Sequence, residues 1–247
     1  MSGHSHWARI KRAKAVTDSR RGKAWSKLSR GIILAARNGP DPNENLALRY
    51  AIDAARAENM PKDTIERAIK KGSGELGGAQ MEELTYEGYG PGGAAIMCTA
   101  VTDNRNRTAP EIKKIFEIRH GKLGPPGSVA RMFSRRGVVR VAADKATEEQ
   151  LTGIALDAGA DDVRLEGDVF ELTCDPATFE PLRKAVEAAG LTAHSAELTM
   201  VPATTVALTG DDAERMLKLV DALEEHDDVQ DVYSNFELSE ADIQRLT

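Results

Sequence analysis

The sequence predicts an α+β protein with three domains. Apolar residues recur at helical spacing up to about residue 72, and a glycine-rich stretch follows. Beyond it the pattern changes to short strands alternating with helices. A chain of 247 residues is also long for a single hydrophobic core.

The first domain, residues 1–78, is predicted to be a small helical bundle. Its first helix places apolar side chains on one face and Lys23, Lys27 and Arg30 on another stripe. Asn and Gly tolerate a left-handed cap and Pro prevents continuation, so Asn38-Gly39-Pro40 ends this helix. Three short helices joined by short turns form a bundle. The predicted helices are 23–37, about 44–58, and a third with Pro61 in its first turn that is closed by Gly72.

The segment GSGELGGAQ, residues 72–80, contains four glycines in nine residues. Such a composition predicts a flexible hinge, so we place a domain boundary there.

The remainder of the chain predicts two α/β domains, one inserted into the other. From residue 138 to 201 the order is strand, helix, strand, strand, helix, strand, which is the split βαβ or ferredoxin-like motif. Half of the same motif precedes this unit, with strands at 94–102 and 129–134 around a helix at 110–119. Another half follows it, with strands at 204–209 and 229–236 around a helix at 211–225. We therefore predict a discontinuous domain, 79–136 plus 203–247, with 137–202 inserted; two consecutive partial domains are the alternative.

The net charge of −6 conceals an asymmetry along the chain. Residues 1–140 hold 26 basic and 14 acidic residues, a net +12, whereas residues 141–247 hold 7 basic and 25 acidic residues, a net −18. Residues 1–40 hold 10 basic residues and a single acid, Asp18. Because cations so close together repel one another without a counter-charge, we expect a basic arm that binds a polyanion rather than a solvated tail.

The composition excludes several classes of protein. Two distant cysteines, Cys98 and Cys174, exclude a disulfide framework and favour a cytoplasmic setting. No apolar run approaches the length of a membrane span, and the charged start does not resemble a signal peptide. We expect no membrane partner and no small-molecule substrate.

Motifs for catalysis or cofactor binding are weak. Gly88, Gly90 and Gly93 match G-x-G-x-x-G, but Pro91 interrupts the loop and a strand follows, which favours a tight strand-to-strand turn over a phosphate site. No nucleophile elbow, Ser-His-Asp grouping or set of zinc ligands stands out. The sequence therefore predicts a non-enzymatic protein without a cofactor or metal.

Two polar loops extend the basic character. In the segment 102–108, TDNRNRT, Arg105 and Arg107 can bind phosphates or carboxylates, or Asp103 and Asn104 can bond their own backbone in a turn; both alternatives stay open. A second loop, 121–127, begins near Lys122. Together with Lys122, four arginines would continue the basic surface: Arg131, Arg135, Arg136 and Arg140. Only part of this set can share one face, because adjacent residues on a strand point to opposite sides.

Six motifs in order carry a resemblance over nearly the whole chain. They are GHSHWARIKRAKAVTDSRRGKAWSKLSR, ENMPKDTIERAIKKG, YEGYGPGG, TDNRNRT, LGPPGSVARMF and LVDALEEHDDVQDVYSNFEL. Together they resemble the YebC/PmpR family, which includes the mitochondrial translational activator of cytochrome c oxidase. The resemblance implies a helical head, a central α/β domain and an α/β domain inserted into it.

The resemblance implies two roles in gene expression. Bacterial members are commonly labelled DNA-binding transcriptional regulators, and they have also been assigned to the ribosome, where they relieve stalled synthesis. The residues favour a nucleic-acid partner without choosing between DNA and ribosomal or messenger RNA. A helix-turn-helix is disfavoured because the link 38–43 contains two prolines and is longer than the usual turn. Phosphate-dominated binding suits the residue types better.

The functional prediction is a non-enzymatic regulator of gene expression that binds DNA through its basic head. One alternative is a translation factor that binds RNA or the ribosome. Another is a protein-interaction module that docks a basic partner through the acidic inserted domain. The predicted nucleic-acid-binding residues are Lys11, Arg12, Lys14, Arg20, Arg21, Lys23, Lys27, Arg30, Arg105 and Arg107.

The charge asymmetry also bears on the position of the head. The stripe bearing Lys23, Lys27 and Arg30 should be attracted to the acidic part of the chain, and a polyanion would compete for that stripe. We therefore expect the head to swing relative to the body and to change its mean position when a ligand binds. The alternative is a rigid interface in which Trp25, Ile32 and Ile33 are buried against the body.

Overall fold

The computed structural model describes residues 18–77 and 81–246. Within these residues the chain forms two compact units. One consists of residues 131–207 and 235–237, and the other contains the remaining described residues. The boundaries predicted for the three domains stay a prediction, and the predicted hinge lies partly outside the described residues.

Three helices form the helical head: α1 (Asp18–Ala36), α2 (Leu46–Ala57) and α3 (Lys62–Gly72). Helix α1 begins five residues before its predicted start at residue 23. Asn45 caps α2, because its Oδ1 accepts the Leu48 N–H at 3.1 Å, and its Nδ2 donates to Ala35 O and Gly39 O at 2.8 Å each. The same side chain thus starts α2 and fixes the end of α1.

The head has its own hydrophobic core. Ile32, Leu48 and Ala55 are completely buried in it, and Ile33 is almost so. Trp25 packs against this cluster and donates its indole N–H to Glu58 O at 3.0 Å. The alternative in which these apolar residues of α1 are buried against the body is therefore wrong, since the amphipathic face of α1 is covered by α2 and α3.

The same unit contains a four-stranded antiparallel sheet in the order β3-β1-β2-β9. Strand β1 pairs with β2 from Glu82↔Thr102 to Tyr89↔Ala95, and Cys98 on β2 pairs with Val232 on β9. Two helices, α4 and α7, pack against this sheet and each other. The elements are β1 (Glu82–Tyr89), β2 (Ala95–Thr102), α4 (Arg105–Ile118), β3 (Lys122–Leu123), α7 (Gly210–Glu224), β9 (Val229–Ser234) and α8 (Glu240–Leu246).

The G-x-G-x-x-G segment joins β1 to β2 through a 3-10 turn at Pro91–Gly93, as predicted. Gly90 N–H donates to Ala94 O at 2.8 Å and closes the turn. Gly92 has a φ of 67° and lies against Leu208, so only glycine fits there without strain. No helix opens at this loop, which removes the basis for a dinucleotide site.

The other unit shows the predicted strand and helix order. Its sheet order is β5-β6-β4-β7, all antiparallel, which is the strand order of the split βαβ motif. Helices α5 and α6 pack against this sheet and each other. The elements are β4 (Phe133–Ala142), α5 (Glu148–Ala158), β5 (Asp162–Glu166), β6 (Val169–Cys174), α6 (Phe179–Ala188) and β7 (Ala193–Pro202).

Three predicted elements differ. The helix predicted from 110 begins at Arg105, because Asn104 caps it and Pro110 lies inside it. The predicted strand 129–134 is a 3-10 turn at Ala130–Met132 that leads into β4. Strand β8 (Val206–Leu208) pairs only with β10 (Phe236–Leu238) in a separate two-stranded sheet. No helix in the described part of the chain is long and apolar enough to cross a bilayer.

Candidate nucleic-acid interface

Helix α1 carries three of the predicted nucleic-acid-binding residues on one stripe. Lys23, Lys27 and Arg30 follow one another at intervals of four and three residues, so they share a face of the helix. We call these three residues the cation row. Its neighbour is the segment that ends α7 and leads to β9, residues 224–228, which we call the α7 turn. Four of its five residues are acidic.

Each member of the cation row donates to a main-chain oxygen of the α7 turn. Lys27 Nζ bonds Glu224 O, Lys23 Nζ bonds Glu225 O at 3.4 Å, and Arg30 Nη1 bonds Asp227 O. The last carbonyls of a helix lack partners inside it and carry the negative end of the helix dipole. The cation row therefore caps α7 in the conformation that the structure shows. The cation row thus lies against the acidic part of the chain, as the charge asymmetry predicts, and the weakening of this contact by salt stays a prediction.

Asp228 completes this contact as a buried carboxylate, with only 3% of its side chain exposed. Arg30 Nη2 lies 3.2 Å from Asp228 Oδ1, and Arg107 Nη2 donates to Oδ2 at 2.7 Å. Thr108 Oγ1 also donates to Oδ2 at 2.7 Å. One carboxylate thus joins the head to the first turn of α4, and it has the charged and hydrogen-bonding partners that a buried ion requires.

The partners of Asp228 set its pKa. Burial on its own would raise the pKa of this carboxyl, but the hydrogen bonds from Thr108 and Arg107 and the charge of Arg30 outweigh that effect. The net result is a pKa below the usual value for aspartate. Asp228 is therefore ionised at neutral pH and attracts both guanidinium groups.

A candidate metal-ligand group also includes Asp228. Ligand atoms of Glu111, His226 and Asp228 all lie within 4.8 Å of one another. However, His226 Nε2 lies 3.0 Å from Glu111 Oε2, and its Nδ1 accepts the Asp228 N–H at 3.1 Å. Two guanidinium groups already bind Asp228, and their positive charge opposes a metal cation at the same carboxylate. The group is better explained as a hydrogen-bond network than as a metal centre.

The TDNRNRT segment combines both alternatives left open by its sequence. Asn104 Oδ1 accepts the Arg107 N–H at 3.2 Å, so the asparagine does bond the nearby backbone. The Arg107 guanidinium binds carboxylates, because it contacts Asp103 at 3.4 Å as well as Asp228. Arg105 is exposed and forms no salt bridge with a described residue. Of the two arginines, Arg105 is therefore the one whose guanidinium is available to phosphate in this conformation.

Glu87 holds the second loop in place. Its buried carboxylate accepts the N–H groups of Gly127, Val129 and Ala130 at 2.7, 2.8 and 2.8 Å. Burial alone would raise the pKa of Glu87, but these three bonds bring it below the usual value. The loop that follows Lys122 is thus fixed by a single anion within the protein.

The predicted extension of the basic surface to Arg140 is wrong. Arg140 is almost completely buried and binds Glu171 at 3.0 Å and Glu197 at 2.7 Å within its own sheet. Alternation along β4 places its side chain on the face that also carries these two glutamates. Arg136 is paired with Asp161 at 3.0 Å, whereas Arg135 is exposed.

Exposed cations on α2 and α3 were not among the predicted nucleic-acid-binding residues. Arg49, Arg67, Lys70 and Lys71 are all exposed, and none forms a salt bridge with a described residue. The guanidinium of Arg37, just after α1, donates to Met81 O at 2.8 Å. The amphipathic pattern of these helices could have identified them, because each lies outside the buried stripe of its helix.

The remaining predicted residues have no described side chains. Lys11, Arg12 and Lys14 lie outside the described residues. Arg20 and Arg21 lie on α1, but their side chains are not described. That all ten residues bind nucleic acid stays a prediction.

Both cysteines belong to the protein interior. Cys98 and Cys174 are buried on β2 and β6, and burial raises the pKa of each thiol. A buried thiol that stays protonated is a poor nucleophile, so both residues serve as small core side chains.

Comparison with known proteins assigns the chain to a family. The model of the TACO1/YebC protein N-terminal domain matches residues 5–75, and the model of the TACO1/YebC second and third domain matches residues 81–236. A "probable transcriptional regulatory protein" from Pelotomaculum thermopropionicum is 54% identical over 243 residues, which cover 97% of this chain and 100% of that protein. One of the same name from Solibacter usitatus is 50% identical over 247 residues, with both chains fully covered.

A solved structure has the same fold. The crystal structure of a conserved hypothetical protein, Aq1575 from Aquifex aeolicus, matches with a TM-score of 0.85 and 46% identity. The match covers 95% of this chain and 98% of that one. With two domain models in the expected order and relatives this similar over their full lengths, the chain belongs to the TACO1/YebC family.

Proposed function

We propose that this protein is a non-enzymatic, cytoplasmic regulator of gene expression that binds nucleic acid through its basic N-terminal domain. The observation that carries the proposal is the charge asymmetry: residues 1–40 have a net charge of +9, on a protein whose net charge is −6. Such a basic segment suits a polyanionic partner, because the polyanion supplies negative charge that would otherwise have to come from the rest of the chain. The names of the relatives support a regulatory role.

The shape of the head bears on which nucleic acid is bound. The connection between α1 and α2, residues 37–45, is longer than the turn of a helix-turn-helix. The connection between α2 and α3, residues 58–61, is short enough for one. In the DNA-binding form of the proposal, α3 would therefore enter the major groove and present Arg67 and Lys70.

A translation factor that binds RNA or the ribosome is the second candidate. This candidate is favoured by two acidic residues near the start of α3, Asp63 and Glu66. In a helix-turn-helix that part of the second helix contacts base edges, and negative side chains there are repelled by DNA. A helix with acids at that end suits phosphate contacts along its cationic end better than readout of bases. RNA binding would then depend on the basic arm and on Lys70 and Lys71 rather than on insertion of α3.

Two sets of variants separate these candidates. Binding of a DNA duplex of about 20 base pairs, a structured RNA of similar charge and purified ribosomes would be measured in parallel at several salt concentrations. The test variant carries Arg67→Glu and Lys70→Glu on α3. The control carries Arg56→Glu and Lys62→Glu, which make the same charge change at residues already paired with Asp53 and Glu66.

The outcomes differ for each candidate. A transcriptional regulator loses duplex affinity in the α3 variant far more than in the control, and it binds the duplex at least as well as RNA. A translation factor binds ribosomes or RNA in preference to the duplex. Failure of the unmodified protein to bind any of the three, even at about 50 mM salt, would contradict the proposal as a whole.

A further inference from the structure

The cation row and the α7 turn form a contact whose chemistry resembles that of a cationic helix on a phosphate chain. The acceptors are two main-chain oxygens at the negative end of α7, those of Glu224 and Glu225, the main-chain oxygen of Asp227 just beyond it, and the carboxylate of Asp228. Phosphodiester oxygens offer lysine and arginine the same kind of acceptor. We infer that the cation row has two mutually exclusive occupants, the α7 turn within the chain and the phosphates of a nucleic acid. This inference rests on the proposed function and adds its regulation.

Burial of the cation row makes the two occupants exclusive. Arg30 uses Nη1 for Asp227 O and Nη2 for Asp228, and its side chain is only 19% exposed. Lys27 is half-buried where it bonds Glu224 O. A phosphate chain that contacts all three cations would have to occupy space that the α7 turn now fills. Binding through the cation row therefore requires its separation from α7.

The contact is also of a strength that a polyanion can overcome. Lys23 is exposed and its bond to Glu225 O is long, at 3.4 Å. The side chain of Arg30 is 19% exposed, so salt screens its pairing with Asp228 only in part, and the two lysine contacts are the weaker members of the row. A nucleic acid presents many charges at once, and its condensed counterions are released on binding. The α7 turn accordingly reduces the affinity of the head for polyanions without abolishing it.

Asp228 remains satisfied when the head separates, which lowers the cost of separation. Arg107 and Thr108 belong to α4 and continue to bind its carboxylate through Oδ2. An unpaired buried charge, the usual penalty for breaking such a contact, is therefore avoided. The carbonyls of Glu224 and Glu225 lose their lysine partners and that of Asp227 loses Arg30. Glu225 and Asp227 are exposed residues and Glu224 is half-buried, so water can replace these donors.

The test weakens the binding of the α7 turn to the cation row without changing the three cations themselves. Asp228→Asn removes the charge that holds Arg30, and Asp211→Asn removes one charge from the other end of the same helix as a matched control. Affinity for a DNA duplex of about 20 base pairs is measured at about 100 mM salt. We expect Asp228→Asn to bind about fivefold more tightly, and Asp211→Asn to match the unmodified protein.

A double variant identifies the source of the gain. Asp228→Asn also releases Arg107, which could bind phosphate itself. Adding Arg107→Gln to Asp228→Asn should preserve the gain, because the released cation row produces it. Loss of the gain in the double variant would assign it to Arg107 and overturn the inference.

A second measurement needs no nucleic acid. Acetylation of lysines by a limiting reagent, followed by mass spectrometry, should modify Lys27 more slowly than Lys70 and Lys71, which are exposed and unpaired among described residues. Asp228→Asn should accelerate acetylation of Lys23 and Lys27 and leave Lys70 and Lys71 unchanged. Equal rates for Lys27 and Lys70 in the unmodified protein would show that the cation row is not held by the α7 turn.

Failure of the inference differs from failure of the proposed function. If both the unmodified protein and Asp228→Asn bind the duplex equally, the nucleic-acid function stands and mutual exclusion is wrong. If neither binds duplex or RNA, the proposed function is wrong and the inference falls with it. If the unmodified protein binds the duplex and Asp228→Asn binds it about fivefold more tightly, both the proposed function and masking of the cation row are supported.

Discussion

A methyl group added at Gly72 would disrupt the packing of the helical head. A Cβ atom there would lie 2.4 Å from Ile33 O and 2.7 Å from Ala36 Cβ, both on α1. Neither atom can move away by rotating a flexible side chain, so α3 would have to move away from α1. Overpacking of this kind costs about 1–3 kcal/mol. The helix propensity of alanine returns less than about 1 kcal/mol, and less still at a helix end.

Gly31→Ala is the matched control, because it makes the same change on α1. A Cβ at Gly31 would meet nothing within 4 Å, so the substitution should stabilise the head by about 0.5–1 kcal/mol. With Trp7→Phe as background, Trp25 is the one remaining tryptophan, and it packs against the head core. Urea unfolding followed by its fluorescence then reports the head. If Gly72→Ala is as stable as its parent, or Gly31→Ala loses as much stability, the packing described for the head is wrong.

Three further predictions concern single anions and the inserted unit. Glu87→Gln should destabilise the protein by about 1–3 kcal/mol and accelerate hydrogen exchange at residues 127–130, because glutamine has one acceptor oxygen and its NH2 group would face at least one of the three N–H donors. Folding lowers the pKa values of Glu87 and Asp228, so the stabilisation that these carboxylates give is present above about pH 4 and is lost as the pH falls through their folded pKa values. The free energy of unfolding of Glu87→Gln and of Asp228→Asn should therefore fall less steeply with decreasing pH than that of the parent protein. Residues 131–203 expressed alone should show cooperative thermal unfolding by circular dichroism, and an unfolded fragment would contradict its independence.

The predicted bounds of helices and strands are most accurate where capping residues and hydrophobic spacing indicate the same element. In the unit of residues 131–207, Thr147 caps α5 and Gly159 ends it in a left-handed conformation, so the predicted bounds of this helix lie close to those observed. The predicted start of α4 is wrong because proline is typical of a first turn, whereas the cap that starts this helix is Asn104, six residues before Pro110.

Long-range partners explain the other differences. Residues 129–130 have an apolar, strand-like composition, but their N–H groups bond a carboxylate more than 40 positions away and not a neighbouring strand. Arg140 looked like a surface cation because its glutamate partners become neighbours only when the sheet forms. Local sequence does not encode such pairings, so composition was read as exposure in one case and as a strand in the other.

In the candidate site, too, local spacing predicts one part and long-range contacts determine the other. The cation row was found from its helical spacing alone. Its position on α7 was anticipated only as a general attraction, because Asp228 is 198 residues from Arg30 and has no local motif that marks it as a buried partner. Two sequence motifs, TDNRNRT and the segment around Asp228, now share one structural explanation: Arg107 and Thr108 bind the carboxylate that also binds Arg30.

The salt dependence of nucleic-acid binding tests the central claim most directly. The test variant carries Lys11→Glu, Arg12→Glu and Lys14→Glu, and the control carries Lys145→Glu, Lys184→Glu and Lys218→Glu, three exposed lysines in the acidic half of the chain. Affinity for duplex DNA and for structured RNA is measured from about 50 to 200 mM salt. We expect the test variant alone to lose affinity for every sequence tried, with the slope of log K against log salt reduced by about one for each lost phosphate contact. An unchanged affinity and slope in the test variant, or an equal loss in the control, would contradict nucleic-acid binding through the basic N-terminal domain.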